Sequence, residues 1–125
     1  MHQLEWYTKG ADKMISTDIN IARDFSNAPG GRKKSEGSHS AEEFRDNHLI
    51  PALKSADQVR VNLDGTFGYA SSFLEEAFGG AARILGKELV KSKLVVFSDE
   101  TPRYVTKVNS YINDVSNDKP KPKPA

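Results

Sequence analysis

Alternating hydrophobic and polar positions predict four short strands. QLEWYTK, at residues 3–9, alternates weakly, and MISTDINIARDFS contains two isoleucines at strand spacing. QVRVNLDG alternates clearly, with Val59, Val61 and Leu63 on one face, and it ends at an Asp-Gly pair. The apolar run in KLVVFS is short, rich in β-branched residues and bounded by polar ones, which favours a buried strand.

The first predicted helix follows a long polar loop. NAPGGRKKSEGSHS is dense in Gly, Pro, Ser and Asn, so it predicts an exposed loop. Ser40 and Glu43 then form the pattern of a capping box, in which each side chain bonds the other residue's backbone N–H. Pro51 disfavours helical geometry at Ile50, so we expect a kink or a new turn there.

Two further helices are indicated by apolar residues at helical spacing. The second helix begins near Ser72 and ends at Gly86. The third has Thr101 or Asp99 as its N-cap, with Pro102 in the first turn. The positions expected to be buried are Phe73, Ala77, Phe78, Ala81, Leu85, Val105, Val108, Ile112 and Val115.

The order of these elements predicts an α/β domain at residues 1–116. We expect a mixed sheet of about four strands packed with about three to four helices, including at least one right-handed parallel crossover. Residues 117–125 alternate Lys and Pro in DKPKPKPA. Such a segment buries no apolar surface, so it is predicted to be a disordered tail.

Composition narrows the functional classes. The chain has no cysteine, which excludes disulfides, thiolate metal sites and cysteine catalysis. The net charge is +1, and the tail carries +2, leaving about −1 on the domain. We therefore expect no nucleic-acid binding. No stretch has the length and apolarity of a membrane span or a signal peptide, so we expect a cytoplasmic protein without membrane contact.

Few residues in the chain have the pattern of a chemical site. Its three histidines lack metal-ligand spacing, and no nucleophile or phosphate-loop motif is present, so we expect no enzyme activity, metal or cofactor. Gly30, Gly31 and Arg32, in the PGGR loop, have two interpretations. They form either a backbone nest for an anion or only a glycine-permitted turn.

Two adjacent serines at the start of the second helix also have two interpretations. Ser72 and Glu75 repeat the capping-box pattern, so structure alone explains one serine. Ser71 and Ser72 nevertheless follow a strand end and a turn, beside the aromatic residues Phe67 and Tyr69. That setting is suited to an interaction site.

These residues carry a family resemblance. VNLDGTFGYASSFLEEAFGG, together with the upstream FSNAPGGRKKSEGSHSAEEFRDNHLIPAL, resembles the STAS-like domain family of unknown function found in bacteria and phages. That family is related to the STAS domains of anti-sigma-factor antagonists, in which a serine at a helix start is phosphorylated by a GHKL-type kinase. The resemblance aligns Ser72 with the phosphoacceptor. Ala70 replaces an aspartate of the antagonist motif, and Phe73 and Glu75 replace glycines.

The resemblance implies a non-enzymatic, regulatory protein-interaction domain. Its partner would be a GHKL-type ATPase or kinase, and Ser72 or Ser71 would be a phosphoacceptor or a helix cap. The interaction face would comprise Gly30, Gly31, Arg32, Tyr69, Phe73 and Glu75. The alternative function is binding of a small anionic ligand or nucleotide through the PGGR loop and the helix N-terminus.

Overall fold

The computed structural model describes residues 14–116, which contain a three-stranded parallel sheet. The strands are β1 (Ser16–Asn20), β2 (Gln58–Asn62) and β3 (Leu94–Phe97). They lie in the order β1-β2-β3, and both neighbouring pairs are parallel. Sequential parallel strands require long crossover connections, and the helices supply them.

The sheet has one buried and one open face. Ile19 lies opposite Val61, and Val61 lies opposite Val96. Ile19 and Val61 are buried and Val96 is half-buried, so this row faces the helices. The adjacent row points the other way and is exposed; its members are Asp18, Arg60 and Val95. Right-handed crossovers that always step in one direction place their helices on one face, which explains this asymmetry.

The described residues contain five helices. They are α1 (Ile21–Asp24), α2 (residues 41–55), α3 (residues 71–85), α4 (Lys87–Lys93) and α5 (Pro102–Asn113). A short 3₁₀ turn, Lys34–Glu36, lies in the loop before α2. Gly86 separates α3 from α4 with a φ of 99°, a conformation that favours glycine.

Both long helices contain a π-helical turn. In α2 it covers Arg45–Leu49, and in α3 it covers Glu75–Gly79. The N–H of Ile50 bonds the carbonyl of Arg45, five residues back, directly before Pro51. Ile50 itself keeps helical backbone angles (φ −64°, ψ −44°), so the expected loss of helical geometry there is wrong. The helix instead contains a π turn directly before Ile50, after which α2 continues.

The core lies between the sheet and the helices. Phe44, Phe73 and Phe78 are fully buried, and the rings of Phe44 and Phe78 are 6.1 Å apart. Each buried aromatic ring removes a large apolar area from water and so stabilises the domain by about 2–3 kcal/mol. The expected apolar stripe of α3 is confirmed for its first four members and half-buried at Leu85.

The structure confirms most of the predicted elements and shows part of the predicted sheet. The strands predicted from the isoleucine segment, QVRVNLDG and KLVVFS are present as β1, β2 and β3. Within residues 14–116 the sheet has three strands and is wholly parallel, so the fourth strand and the mixed pairing that were expected are not shown there. The strand predicted at residues 3–9 and the tail at 117–125 lie outside the described residues.

Helix α4 was not predicted, because its sequence has little helical periodicity. KELVKSK contains only two strongly apolar residues, and they are adjacent. Val90 is fully buried, but Leu89 is 41% exposed. This short helix contacts the core through one buried residue, Val90. A single apolar residue creates no periodic pattern, so the sequence does not reveal the helix.

Candidate functional site

Helix α3 begins without a side-chain cap. Ala70 is its N-cap, with extended backbone (φ −69°, ψ 146°), and the N–H groups of Phe73 and Leu74 donate to the Ala70 carbonyl at 3.0 and 3.3 Å. Ser71 and Ser72 are therefore the first two helical residues. A capping side chain belongs to the extended residue before the helix, so the predicted capping role of Ser72 or Ser71 is wrong.

The two serine hydroxyls have different surroundings. Ser71 is exposed, and its Oγ accepts a hydrogen bond from Lys107 Nζ of α5 at 3.1 Å. Ser72 is half-buried, and among residues 14–116 its hydroxyl has no hydrogen-bond partner. Neither hydroxyl thus has a role in closing the helix end.

Glu75 is held by two arginines rather than by the helix end. Its Oε1 accepts from Arg32 Nη1 at 2.5 Å, and its Oε2 accepts from Arg83 Nη1 at 2.6 Å. Because Ser72 and Glu75 are three residues apart, they share one face of α3. The PGGR loop therefore attaches to α3 one turn from Ser72.

The neighbouring Glu76 forms a buried ion pair with α2. Its Oε2 accepts from Arg45 Nη1 at 2.6 Å, and the two side chains are 8% and 10% exposed. Arg32 Nη1 also bonds Glu76 Oε1, at 3.0 Å. Arg45 begins the π turn of α2, and Glu76 is the second residue of the π turn of α3. A Cβ on Gly80 would stand 3.0 Å from Arg45 Nη1. Gly80 thus gives the Arg45 guanidinium room against α3.

The sequence prediction did not include Glu76, Arg45 or Arg83 in the site. The signal that was present is the pair of glycines after Phe78, because glycines inside a helix often mark a close approach of another group. No pattern links residue 45 to residue 76.

The arginine contacts determine the ionisation of both glutamates. Burial acts to raise the pKa of Glu75, but the hydrogen bonds from Arg83 and Arg32 outweigh it and lower the pKa. The pKa of Glu76 is likewise lowered against its burial, by Arg32, Lys33 and Arg45. The bond to Glu75, followed by that to Glu76, raises the pKa of Arg32. The cluster is therefore fully ionised at neutral pH.

The PGGR loop binds a carboxylate of its own chain. Glu36 Oε1 accepts from the backbone N–H of Arg32 at 2.9 Å and of Lys33 at 3.4 Å. A Cβ on Gly31 would stand 2.6 Å from that oxygen, and one on Gly30 would stand 2.7 Å from the carbonyl of the returning chain. The N–H groups that meet this carboxylate are those of Arg32 and Lys33, while the Gly30 N–H donates to the His39 carbonyl at 2.8 Å, so an anion nest at Gly30, Gly31 and Arg32 stays a prediction. The Arg32 guanidinium is paired with Glu75 and Glu76, so an anionic ligand would have to compete with these carboxylates for it.

Two predicted contact residues lie in the core. Phe73 is fully buried, and Tyr69 is 8% exposed, with its hydroxyl donating to the Leu63 carbonyl at 2.8 Å. Burial raises the pKa of Tyr69. Their proposed place on an interaction face is corrected, because large apolar groups next to the sheet are worth more in the core. Phe67, in contrast, is 87% exposed.

Residues 14–116 offer no metal site and no membrane span. That part of the chain contains no group of three or more His, Asp or Glu side chains arranged to hold a metal ion. Its helices also include none with the length and apolarity needed to cross a membrane.

The fold is a parallel α/β layer with paired serines at the start of the helix that follows β2. The sequence model of one family, described as a STAS-like domain of unknown function (DUF4325), matches residues 40–103, just over half of the 125-residue chain. The chain belongs to this family. Comparisons with curated proteins and with solved structures found no match.

Proposed function

We propose that this chain is a non-enzymatic regulatory domain that binds a partner protein through the start of α3, under control of serine phosphorylation. Membership of the STAS-like family supports a regulatory type of domain. The observation that carries the proposal is the setting of Ser71 and Ser72. They occupy the first turn of a 15-residue helix, and neither caps it.

The electrostatics of this turn favour a phosphoserine. A phosphate adds about two negative charges and three acceptor oxygens, and a helix N-terminus stabilises negative charge. On Ser71 the group would meet the Lys107 ammonium, which already bonds the hydroxyl. On Ser72 it would lie on the face of α3 that carries Glu75 and its arginines.

Phosphorylation of Ser72 supplies a route to a conformational change. Arg32 connects the PGGR loop to Glu75 and Glu76, and its side chain is 37% exposed. A phosphate one turn away competes with Glu75 for this guanidinium, because charge-assisted bonds to phosphate are strong and often bidentate. Transfer of Arg32 to the phosphate would shift the loop on the surface next to the serines.

The class of partner follows from the family resemblance. Relatives among the anti-sigma-factor antagonists are phosphorylated by GHKL-type kinases, so a GHKL-type ATPase or kinase is the proposed partner. Phe67 projects from the loop directly before α3, and exposed aromatic side chains are common centres of protein interfaces.

The proposal is tested by phosphorylation and capture in extract from the source cell. Wild-type protein is incubated with extract and ATP, and phosphate is mapped by mass spectrometry. We expect modification on Ser72 or Ser71, absent from the double alanine variant and retained when exposed Ser110 is replaced instead. Phosphate found only at other residues, or none with ATP present, would reject the switch.

A further inference from the structure

The carboxyl edge of the sheet contains a cavity of about 100 Å³. Its walls come from the segments after β2 and β3 and from α5, and they include Asp64, Phe67, Gly68, Glu100 and Tyr104. This volume is well above the roughly 15 Å³ that one water molecule needs. The carboxyl ends of parallel strands are the common position of ligand sites in α/β proteins.

The loop that forms one wall is fixed in place. The Asp64 carboxylate accepts from the Ser98 hydroxyl at 2.6 Å and from the N–H groups of Asp99 and Glu100 at 3.0 and 3.1 Å. The N–H of Phe67 donates to the Asn27 carbonyl at 2.8 Å. The backbone of Phe67 is thus anchored, while its side chain is 87% exposed. A rigidly held, exposed aromatic ring is suited to contact with another molecule.

The charge of the cavity selects a cationic occupant. Among residues 14–116, the cavity-lining Asp64 and Glu100 form no ion pair, whereas Glu75 and Glu76 have several arginine partners. Glu100 Oε1 accepts only the Gly65 N–H, at 3.0 Å, which leaves carboxylate lone pairs for a further donor. The Phe67 ring next to these acids offers a face for a cation.

We propose that this cavity receives an arginine side chain of a partner protein. The planar guanidinium would stack on Phe67 and donate hydrogen bonds to Glu100 and Asp64. Arginine fits better than lysine, because its fork of donors suits carboxylates and its plane stacks on an aromatic ring. The inference rests on the proposed role as an interaction domain but is independent of serine phosphorylation.

The test uses N-acetyl-arginine amide as the probe and the ¹⁵N-labelled full chain. Titration followed by ¹H–¹⁵N correlation spectra should give saturable shifts at the amides of Gly65, Phe67 and Gly68. The neutral citrulline amide, which keeps the shape but lacks the charge, should bind at least fivefold more weakly. Lysine amide should also bind more weakly than arginine amide.

Matched variants locate the binding. Phe67→Ala and Glu100→Gln should each weaken binding at least threefold, and both should fold, since Phe67 is exposed and glutamine keeps an oxygen for Gly65. Ile84→Ala and Glu88→Gln, on other surfaces, should bind like wild type.

The inference would be overturned if the shifts did not saturate or were centred elsewhere. It would also be overturned if citrulline amide or lysine amide bound as well as arginine amide, or if both cavity variants bound like wild type. Those results would leave the serine proposal standing, because the phosphate mapping tests it separately.

Discussion

Replacing Glu76 by glutamine tests whether the buried ion pair holds α2 and α3 together. The variant keeps the shape and one acceptor oxygen but removes the charge that faces Arg45, Arg32 and Lys33. The Glu76 side chain is 8% exposed and that of Arg45 is 10% exposed. Removing one partner of a buried pair costs about 3–5 kcal/mol, and glutamine places the expected loss near the lower end, at about 3 kcal/mol.

Glu75→Gln is the matched control for this change. Glu75 is the adjacent residue and also contacts two arginines, but its side chain is 28% exposed, and those of Arg32 and Arg83 are 37% and 45% exposed. Solvent screens such pairs, so the expected loss is about 1 kcal/mol or less. The difference between the two variants isolates the effect of burial.

Urea unfolding followed by circular dichroism at the helix band measures both losses. With a slope of about 1–3 kcal/mol per M for a small protein, Glu76→Gln should lower the midpoint by about 1–3 M. The double variant Arg45→Met/Glu76→Met should recover most of that loss, because an apolar pair of similar size replaces the ion pair. A Glu76→Gln midpoint no lower than that of Glu75→Gln would refute the reasoning.

Three further predictions concern the same part of the molecule. Ser40→Ala should lower the free energy of unfolding by about 1 kcal/mol, because Ser40 Oγ accepts from the Glu43 N–H. Ser72→Ala should lower it by less than about 0.5 kcal/mol, because Ser72 is not the N-cap. Equal losses of stability in urea titrations would restore Ser72 as a cap. Arg32→Ala should lower the free energy of unfolding by about 1–2 kcal/mol, because it removes two charged hydrogen bonds. The control Arg103→Ala, at an exposed residue, should lower it by less than about 0.5 kcal/mol. Equal melting temperatures of the two variants would contradict a structural role of the loop contact. Glu75 and Glu76 have folded pKa values below their ordinary value of 4.5, so the stability they contribute is present above about pH 4.5 and is lost as pH falls through the lower folded values. Glu76→Gln should therefore lose less stability than wild type when the pH is lowered. Identical acid unfolding profiles of the two proteins would contradict this.

The strands and the helix faces could be predicted because their signals are local. The alternation of Val59, Val61 and Leu63 fixes which face of β2 is buried, and the spacing from Phe73 to Ala81 fixes the buried side of α3. Such periodicities are set by backbone geometry and need no knowledge of distant residues. The parallel pairing of all three strands, in contrast, depends on how the crossovers pack.

The site was predicted less well because its geometry depends on distant contacts. The capping box at Ser40 holds for the Ser40 hydroxyl, but the Glu43 carboxylate bonds the N–H of His39 instead. At Ser72 the same pattern fails, because the helix begins one residue before Ser72, with Ala70 as its N-cap. The Glu75 carboxylate is instead engaged by Arg32, which is 43 residues away in the chain. The π turns that orient Arg45 and Glu76 likewise have no sequence signal of their own.

The most direct test of the proposed switch compares partner capture by wild type and aspartate variants. Immobilised wild-type, Ser72→Asp, Ser71→Asp and control Ser110→Asp proteins are exposed to the same extract with ATP, and bound proteins are quantified by mass spectrometry. Unfolding midpoints confirm that each variant folds. We predict that a GHKL-type ATPase or kinase is captured by wild type and Ser110→Asp, and that Ser72→Asp or Ser71→Asp changes its amount at least fivefold. Equal capture by all four folded proteins, or capture of no such partner, would contradict the proposed function.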